Sequence, residues 1–186
     1  MYYGKIKYYD VANGLGIRTS LFVSGCRNHC KGCFQPETWD FRYGKEFTDF
    51  EKNNILNSFN STDPIVNGLS ILGGEPFEPE NVKVLLPLVR EFKERFKDKD
   101  LWVWTGYILD DIYVNGKDNM EFLSYIDYLI DGPFILEKKD LSLKFRGSSN
   151  QRLLNKKDIE QIIIMKRLFL MSSSIDWQIK ISRGES

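Results

Sequence analysis

The chain has 186 residues, 42 % of them apolar, which is enough to bury the core of one domain. Lysine plus arginine and aspartate plus glutamate each number 26, and this neutral balance gives no support for nucleic acid or an anionic membrane as a partner. No apolar run approaches the roughly 20 residues of a membrane span, and the first residues lack the pattern of a signal peptide. Reduced thiols and the lack of a targeting segment together predict a cytoplasmic protein.

The first part of the chain predicts strands and a helix in alternation. Residues 3–9 alternate and are rich in aromatic side chains, which predicts a strand, and residues 17–24 predict a second strand that leads into a cysteine-rich loop. Residues 49–59 carry apolar side chains at helical spacing. Residues 68–72 form a short apolar run that is typical of a buried strand.

The middle of the chain continues the alternation. The clearest helical pattern covers about residues 78–96, although Pro87 inside it is expected to kink the helix. Residues 101–105 predict the next strand. A short helix over residues 120–125 then leads into a strand over about residues 127–130.

The C-terminal part gives weaker signals. Residues 159–170 predict a helix or a strand packed on the outside, and the serines at 172–174 are expected to end it. Residues 177–181 alternate in the manner of a final edge strand. We assign no chemistry to this region.

Alternating strands and helices predict an α/β fold with right-handed βαβ units and a mostly parallel sheet. A complete eightfold barrel takes about 250 residues, so we expect one domain over residues 1–186 that forms an open, partial (β/α) barrel. Its core covers about residues 3–152, and residues 153–186 form a C-terminal extension. The unusual clusters each follow a strand, at the edge where parallel folds bind ligands: the cysteine loop, Gly73-Gly74-Glu75-Pro76, Thr105-Gly106-Tyr107 and Asp131-Gly132-Pro133-Phe134.

All three cysteines lie within eight residues, at Cys26, Cys30 and Cys33, together with the chain's one histidine, His29. Thiolates are ligands of iron–sulfur clusters and of zinc. Three cysteines would leave one iron of a four-iron cluster open for a substrate or cofactor, which is a catalytic arrangement. A Cys₃His zinc site is the alternative, but zinc sites usually join two separated ligand pairs, and no second pair follows here.

The other clusters have both a functional and a structural interpretation. Gly73 and Gly74 let a ligand approach the backbone, and Glu75 could bind a protonated amine, but a tight turn with a solvated glutamate fits the same residues. Thr105 and Asp131 could contact a ligand, or they could cap a helix and form a turn. Arg146 and Arg152 could clamp a carboxylate or be solvated.

The spacing C-x₃-C-x₂-C resembles the signature of the radical S-adenosylmethionine (SAM) enzymes. With the other blocks the chain resembles one branch of that superfamily, the activating proteins of anaerobic ribonucleoside-triphosphate reductases. The stretches that carry this resemblance are residues 10–33, 73–76, 104–107, 131–134 and 145–152. One departure is Gly32, where the superfamily often has an aromatic residue. The aromatic residue here is Phe34, so the resemblance implies an adenine contact around Gly32, Cys33 and Phe34.

The resemblance implies a mechanism. Cys26, Cys30 and Cys33 would hold a 4Fe–4S cluster, and SAM would bind the fourth iron. Gly73, Gly74 and Glu75 would hold the amino group of SAM, with Thr105 and Asp131 as further contacts. An electron from a donor such as flavodoxin would cleave SAM, and the resulting 5′-deoxyadenosyl radical would take hydrogen from a glycine of the reductase's large subunit.

Two alternatives remain open at this point. One is an activase of another glycyl radical enzyme, of the pyruvate formate-lyase type. The other is a zinc-binding interaction module without enzymatic activity, which would leave the Gly73–Pro76 cluster unexplained.

Overall fold

The computed structural model describes residues 1–114 and 116–182. Seven strands within these residues form one open sheet, in the order β3-β1-β2-β4-β5-β6-β7. Strands β2, β4, β5 and β6 are parallel and form its centre, whereas β1, β3 and β7 add antiparallel edges. The strands are β1 (Tyr2–Asp10), β2 (Arg18–Val23), β3 (Lys45–Glu46), β4 (Gly68–Gly73), β5 (Asp100–Trp104), β6 (Tyr128–Asp131) and β7 (Arg152–Asn155).

Five α-helices occur in the described part of the chain. They are α1 (Asp49–Ser58), α2 (Pro79–Arg95), α3 (Leu109–Val114), α4 (Lys117–Tyr125) and α5 (Lys156–Ser182). A capping box begins α1, because the Thr48 side chain accepts from the Phe50 amide and Glu51 accepts from the Thr48 amide. The α2 helix begins with a proline at a position where no backbone donor is needed. No helix among the described residues has the length and apolarity to cross a bilayer.

One face of the sheet packs against the helices. Side chains that alternate along the central strands, such as Leu21, Ile71 and Val103, are fully buried in the same apolar core as Leu85 and Phe92 of α2. Because strand side chains alternate between the two faces, their neighbours in sequence point to the other side.

The opposite face has a polar and aromatic floor. Ser20, Ser70, Trp102 and Tyr128 lie at one level across four neighbouring strands, and the rings of Trp102 and Tyr128 stack with centroids 4.4 Å apart. Arg18 lies below this row with no exposed surface. Its guanidinium donates to Ser70 Oγ (2.6 Å) and to three backbone carbonyls, and it forms an ion pair with the Asp100 carboxylate at the start of β5. These contacts fill the polar face of the sheet at the amino ends of the central strands.

Most predicted elements are confirmed, with boundaries within a few residues. The short elements β3, α3 and β7 were not predicted. Residues 172–174 do not end a helix, and residues 177–181 are not an edge strand, because both lie in α5. Five alternating residues are weak evidence for a strand, whereas a helix that has already formed gains one hydrogen bond for each residue added. Pro87 is exposed on α2, and the helix continues through it.

The α2 interface provides a test of the core. Phe92 is fully buried and its ring lies 4.7 Å from that of Phe59. Phe92→Ala should lower the free energy of unfolding by about 3–5 kcal/mol, because it leaves a cavity among close-packed side chains. Lys83→Ala, on the exposed side of the same helix, should change it by less than about 0.5 kcal/mol. Urea unfolding of the reduced protein measures both, and equal losses in the two variants would contradict this packing.

Candidate cluster and cofactor site

A cavity of about 470 Å³ lies at the carboxyl ends of the central parallel strands. Its walls include Phe22, Leu72 and Trp104, which lie nearer to the carboxyl ends of their strands than the polar floor does. The structure brings most of the predicted site residues together around this cavity. They are Cys26, Cys30, Cys33, Phe34, Gly73, Gly74, Glu75 and Thr105.

Backbone contacts join the cysteine loop to the turn after β4. The Glu75 amide donates to the Gly25 carbonyl oxygen (2.8 Å), and the Gly74 amide donates to the Val23 carbonyl oxygen (2.7 Å). A Cβ atom on Gly74 would lie 2.6 Å from the Gly25 oxygen, so a larger residue would push the two loops apart. The glycines of the turn are therefore required by this close approach.

Side chains of the early α2 region hold the same two loops. The Asn81 side-chain amide donates to the carbonyl oxygens of Ser24 (3.0 Å) and Glu75 (2.9 Å). Glu78 is buried and accepts from the Arg27 amide (2.8 Å). The cysteine loop is thus attached to the helix as well as to the neighbouring turn.

The three thiols differ in exposure. Cys26 is buried, whereas Cys30 and Cys33 are partly exposed. Burial raises the pKa of the Cys26 thiol to about 11, although hydrogen bonds from the Asn28 and His29 amides act in the opposite direction. Burial also raises the pKa of Cys30. Metal binding at this site therefore has to displace thiol protons.

The histidine of the loop is not directed to the thiols. The His29 ring is exposed and stacks on Trp39, with centroids 4.6 Å apart and planes 13° apart. In the described part of the chain, no three His, Cys, Asp or Glu side chains converge on a position for a single metal ion. The Cys₃His zinc arrangement considered from the sequence is thus not assembled in this structure.

Glu75 is fully buried and fully hydrogen-bonded. Its two carboxylate oxygens accept from Thr105 Oγ1 (2.7 Å), the Gly106 amide (2.7 Å), the Phe77 amide (3.0 Å) and the Asn28 side-chain amide (3.1 Å). Burial raises the pKa of Glu75 to about 7 against the effect of these donors. All four donors are neutral, so a cation in the cavity would stabilise the charged form of this carboxylate.

The structure places two predicted contacts outside the lining of the cavity. Asp131 is fully buried and accepts from Arg152 Nε (2.8 Å) and from the Leu109 amide (2.8 Å). Its carboxylate therefore positions the start of α3, and Arg152 is paired with this carboxylate. Gly32 packs against Leu136, and only its neighbours Cys33 and Phe34 line the cavity.

Sequence reasoning missed Asn28, which links the cysteine loop to Glu75. Gly106 packs against the Asn28 amide so closely that a Cβ atom on it would overlap that group. The sequence signal was the position of Asn28 between Cys26 and Cys30, where a partly buried side-chain amide needs a partner. The cations beside the cysteines are paired elsewhere: Arg27 with Glu78 and Glu80, and Lys31 with Glu137.

Comparisons with known proteins agree with this site. The family model of the 4Fe-4S single cluster domain matches residues 12–154, so the chain contains a domain of this class. No solved structure gives a significant match. An anaerobic ribonucleoside-triphosphate reductase-activating protein of Haemophilus influenzae is 47 % identical over 148 residues, which are 78 % of this chain and 94 % of that protein.

Two further relatives carry the same name. The protein of Escherichia coli K12 is 42 % identical over 147 residues, which are 78 % of this chain and 94 % of the relative. The protein of the bacteriophage T4 is 38 % identical over 160 residues, or 85 % of this chain and 96 % of the relative. The chain belongs to the family of anaerobic ribonucleoside-triphosphate reductase-activating proteins.

The buried state of Glu75 predicts a specific pH dependence. Its pKa is about 7 in the folded chain and about 4.5 when unfolded, so folding is favoured while the carboxyl is protonated. In metal-free, reduced protein this group should lower the free energy of unfolding by roughly 3 kcal/mol as the pH rises from 4 to 8. Urea unfolding across this range measures the fall, which Glu75→Gln should lack. Parallel curves for wild type and variant would show that the group titrates normally.

Proposed function

We propose that this protein activates an anaerobic ribonucleoside-triphosphate reductase by radical SAM chemistry. The observation that carries the proposal is the cavity where three cysteine thiols meet a buried carboxylate, in a chain of the activating-protein family. The thiols would bind a 4Fe–4S cluster, and the carboxylate would bind SAM. The protein would act in the cytoplasm, with the large subunit of the reductase as its partner and without nucleic acid or a membrane.

The thiol site fits a cluster with one open iron. Cys26, Cys30 and Cys33 would each bind one iron, so they need not converge on a single point as zinc ligands do. Amide donors reach two of the sulfurs, from Asn28 and His29 to Cys26 and from Phe134 to Cys30. Hydrogen bonds to sulfur stabilise the thiolate form and adjust the potential of a cluster.

The remaining lining residues fit SAM. Glu75 would accept the amino group of the ligand, which supplies the cation that this buried carboxylate lacks. Gly73 and Gly74 would offer bare backbone beside it, and Thr105 would hold the carboxylate in place through its bond to Oε1. The backbone of Cys33 and the ring of Phe34, which line the same cavity, would contact the adenine.

The chain's own residues bind and orient, and the cofactors supply the bond chemistry. When bound, a cluster reduced by one electron from a donor such as flavodoxin would allow cleavage of the sulfonium C–S bond, which yields methionine and a 5′-deoxyadenosyl radical that takes a hydrogen atom from a glycine of the reductase. The amide donors around Glu75 keep that carboxylate in place throughout.

The fold fits a partial, open barrel of the radical SAM type. Four central parallel strands present their carboxyl ends to the cavity, and antiparallel strands end the sheet on both sides. An open sheet leaves room at its rim for a substrate as large as a loop of another protein. Phe34 is 61 % exposed and Leu141 is 82 % exposed, and both line the cavity.

Loss of one cysteine tests the cluster assignment. After anaerobic reconstitution with iron and sulfide, wild-type protein should be brown and should release 5′-deoxyadenosine from SAM when dithionite is added. Cys30→Ala should lose iron and release no detectable 5′-deoxyadenosine, because one iron lacks its thiolate. Lys31→Ala, at an exposed side chain in the same loop, should retain both properties. A wild-type protein that binds zinc tightly, without cluster or product, would replace the enzyme by a zinc-binding module.

The partner is tested by radical transfer. Reduced, cluster-loaded protein with SAM should generate a glycyl radical on an anaerobic ribonucleoside-triphosphate reductase, seen as a doublet in the electron paramagnetic resonance spectrum. A pyruvate formate-lyase offered under the same conditions should show no such signal. A radical on the lyase alone would assign the protein to the other class of activase.

A further inference from the structure

Residues 145–147 form one wall of the cavity, and the proposed function assigns them no role. The backbone on both sides of Arg146 is anchored. Trp104 Nε1 donates to the Phe145 carbonyl oxygen (2.7 Å), and the Gly147 amide donates to Gln151 Oε1 (2.8 Å). Phe145 also has a φ of 63°, a conformation that a residue with a bulky side chain adopts only when its surroundings enforce it. Arg146 therefore extends from a well-held segment.

The Arg146 guanidinium lacks a partner of opposite charge. Within the described part of the chain it has no carboxylate within 4.0 Å, unlike Arg18, Arg27 and Arg152. Its Nη1 donates to the Gln151 carbonyl oxygen (3.2 Å), while its Nε is buried without an acceptor among the described residues. A guanidinium has five donor hydrogens, so most of its binding capacity is unused. Buried donors are normally satisfied, which makes this group a candidate for a bound anion.

The cavity has two formally charged lining side chains of opposite sign among the described residues, Glu75 and Arg146. The nearest acid in sequence, Asp140, is partly exposed and forms no ion pair with Arg146, which is the smallest of the causes that lower its pKa. A ligand that matches the charges of both side chains carries an ammonium group and a carboxylate. The amino-acid end of SAM has both.

We propose that Arg146 binds the carboxylate of the amino-acid part of SAM while Glu75 binds its ammonium group. This inference rests on the proposed function, since it assigns a residue to the same ligand. A planar guanidinium can donate two parallel hydrogen bonds to a carboxylate, which orients the ligand as well as attracting it. Arg146 is thus a binding residue that selects an α-amino acid end over an amine alone.

The test compares SAM with decarboxylated SAM, which keeps the sulfonium, the adenosine and the amine. Equilibrium dialysis with cluster-loaded protein, without a reductant, measures the affinity for each ligand. Arg146→Gln should weaken SAM binding roughly 10- to 100-fold, as expected for the loss of a charge-assisted pair, and should change binding of decarboxylated SAM less than about 3-fold. Arg146→Lys should give an intermediate loss. Arg90→Gln, which breaks a surface ion pair with Glu121, should bind both ligands as wild type does.

Each outcome decides the assignment. A selective loss for SAM supports it. Equal SAM affinities in wild type and Arg146→Gln would overturn the assignment and leave the proposed function standing. An equal loss of affinity for SAM and decarboxylated SAM would also overturn it, because Arg146 would then only support the loop. If wild-type protein binds no SAM and releases no 5′-deoxyadenosine after reduction, the proposed function fails and this inference fails with it.

Discussion

The site depends on one backbone contact, the hydrogen bond from the Glu75 amide to the Gly25 carbonyl oxygen. It joins the loop that carries the thiols to the turn that carries the buried carboxylate. The contact is possible because β2 and β4 are parallel neighbours, with Val23 opposite Gly73, so both loops leave the sheet at the same edge. It also requires that residue 74 have no side chain. The relative position of thiols and carboxylate is therefore set by main-chain geometry.

Burial of the Glu75 carboxylate opposes stability and favours binding. Three separate segments supply its donors: the cysteine loop through Asn28, its own turn through Phe77, and the end of β5 through Thr105 and Gly106. These neutral groups replace water as hydrogen-bond donors to the carboxylate. They bring no positive charge, so the pKa of Glu75 stays above its ordinary value. A bound ammonium group would offset the desolvation cost of this buried carboxylate. The donors also hold the carboxylate still, so the ligand does not have to order it.

The sequence predicts the site residues that directly follow the carboxyl ends of parallel strands. Glu75 and Thr105 could be placed at one site because parallel strands present their carboxyl ends together. Asp131 follows the same rule but is not among the residues that line the cavity, and its carboxylate is paired with Arg152 on the antiparallel strand β7. That strand is four residues long, and its pairing with β6 joins positions far apart in sequence. Asn28 was missed for a similar reason, since its partner Glu75 is 47 residues away.

Packing at the amino ends of the central strands closes one end of the polar face of the sheet, and this limits how a ligand can reach the thiols. An open sheet has to cover its inner face, and here Trp102 and the buried Arg18 do so below the cavity, with the guanidinium carbon 5.4 Å from the centre of the indole ring. This arrangement leaves the carboxyl-end rim, with the exposed side chains of Phe34 and Leu141, as the approach to the cavity. Under the proposed function, SAM and the partner polypeptide share that approach. Under that function the small ligand would have to bind first, because a larger partner docked at the rim would cover the entrance.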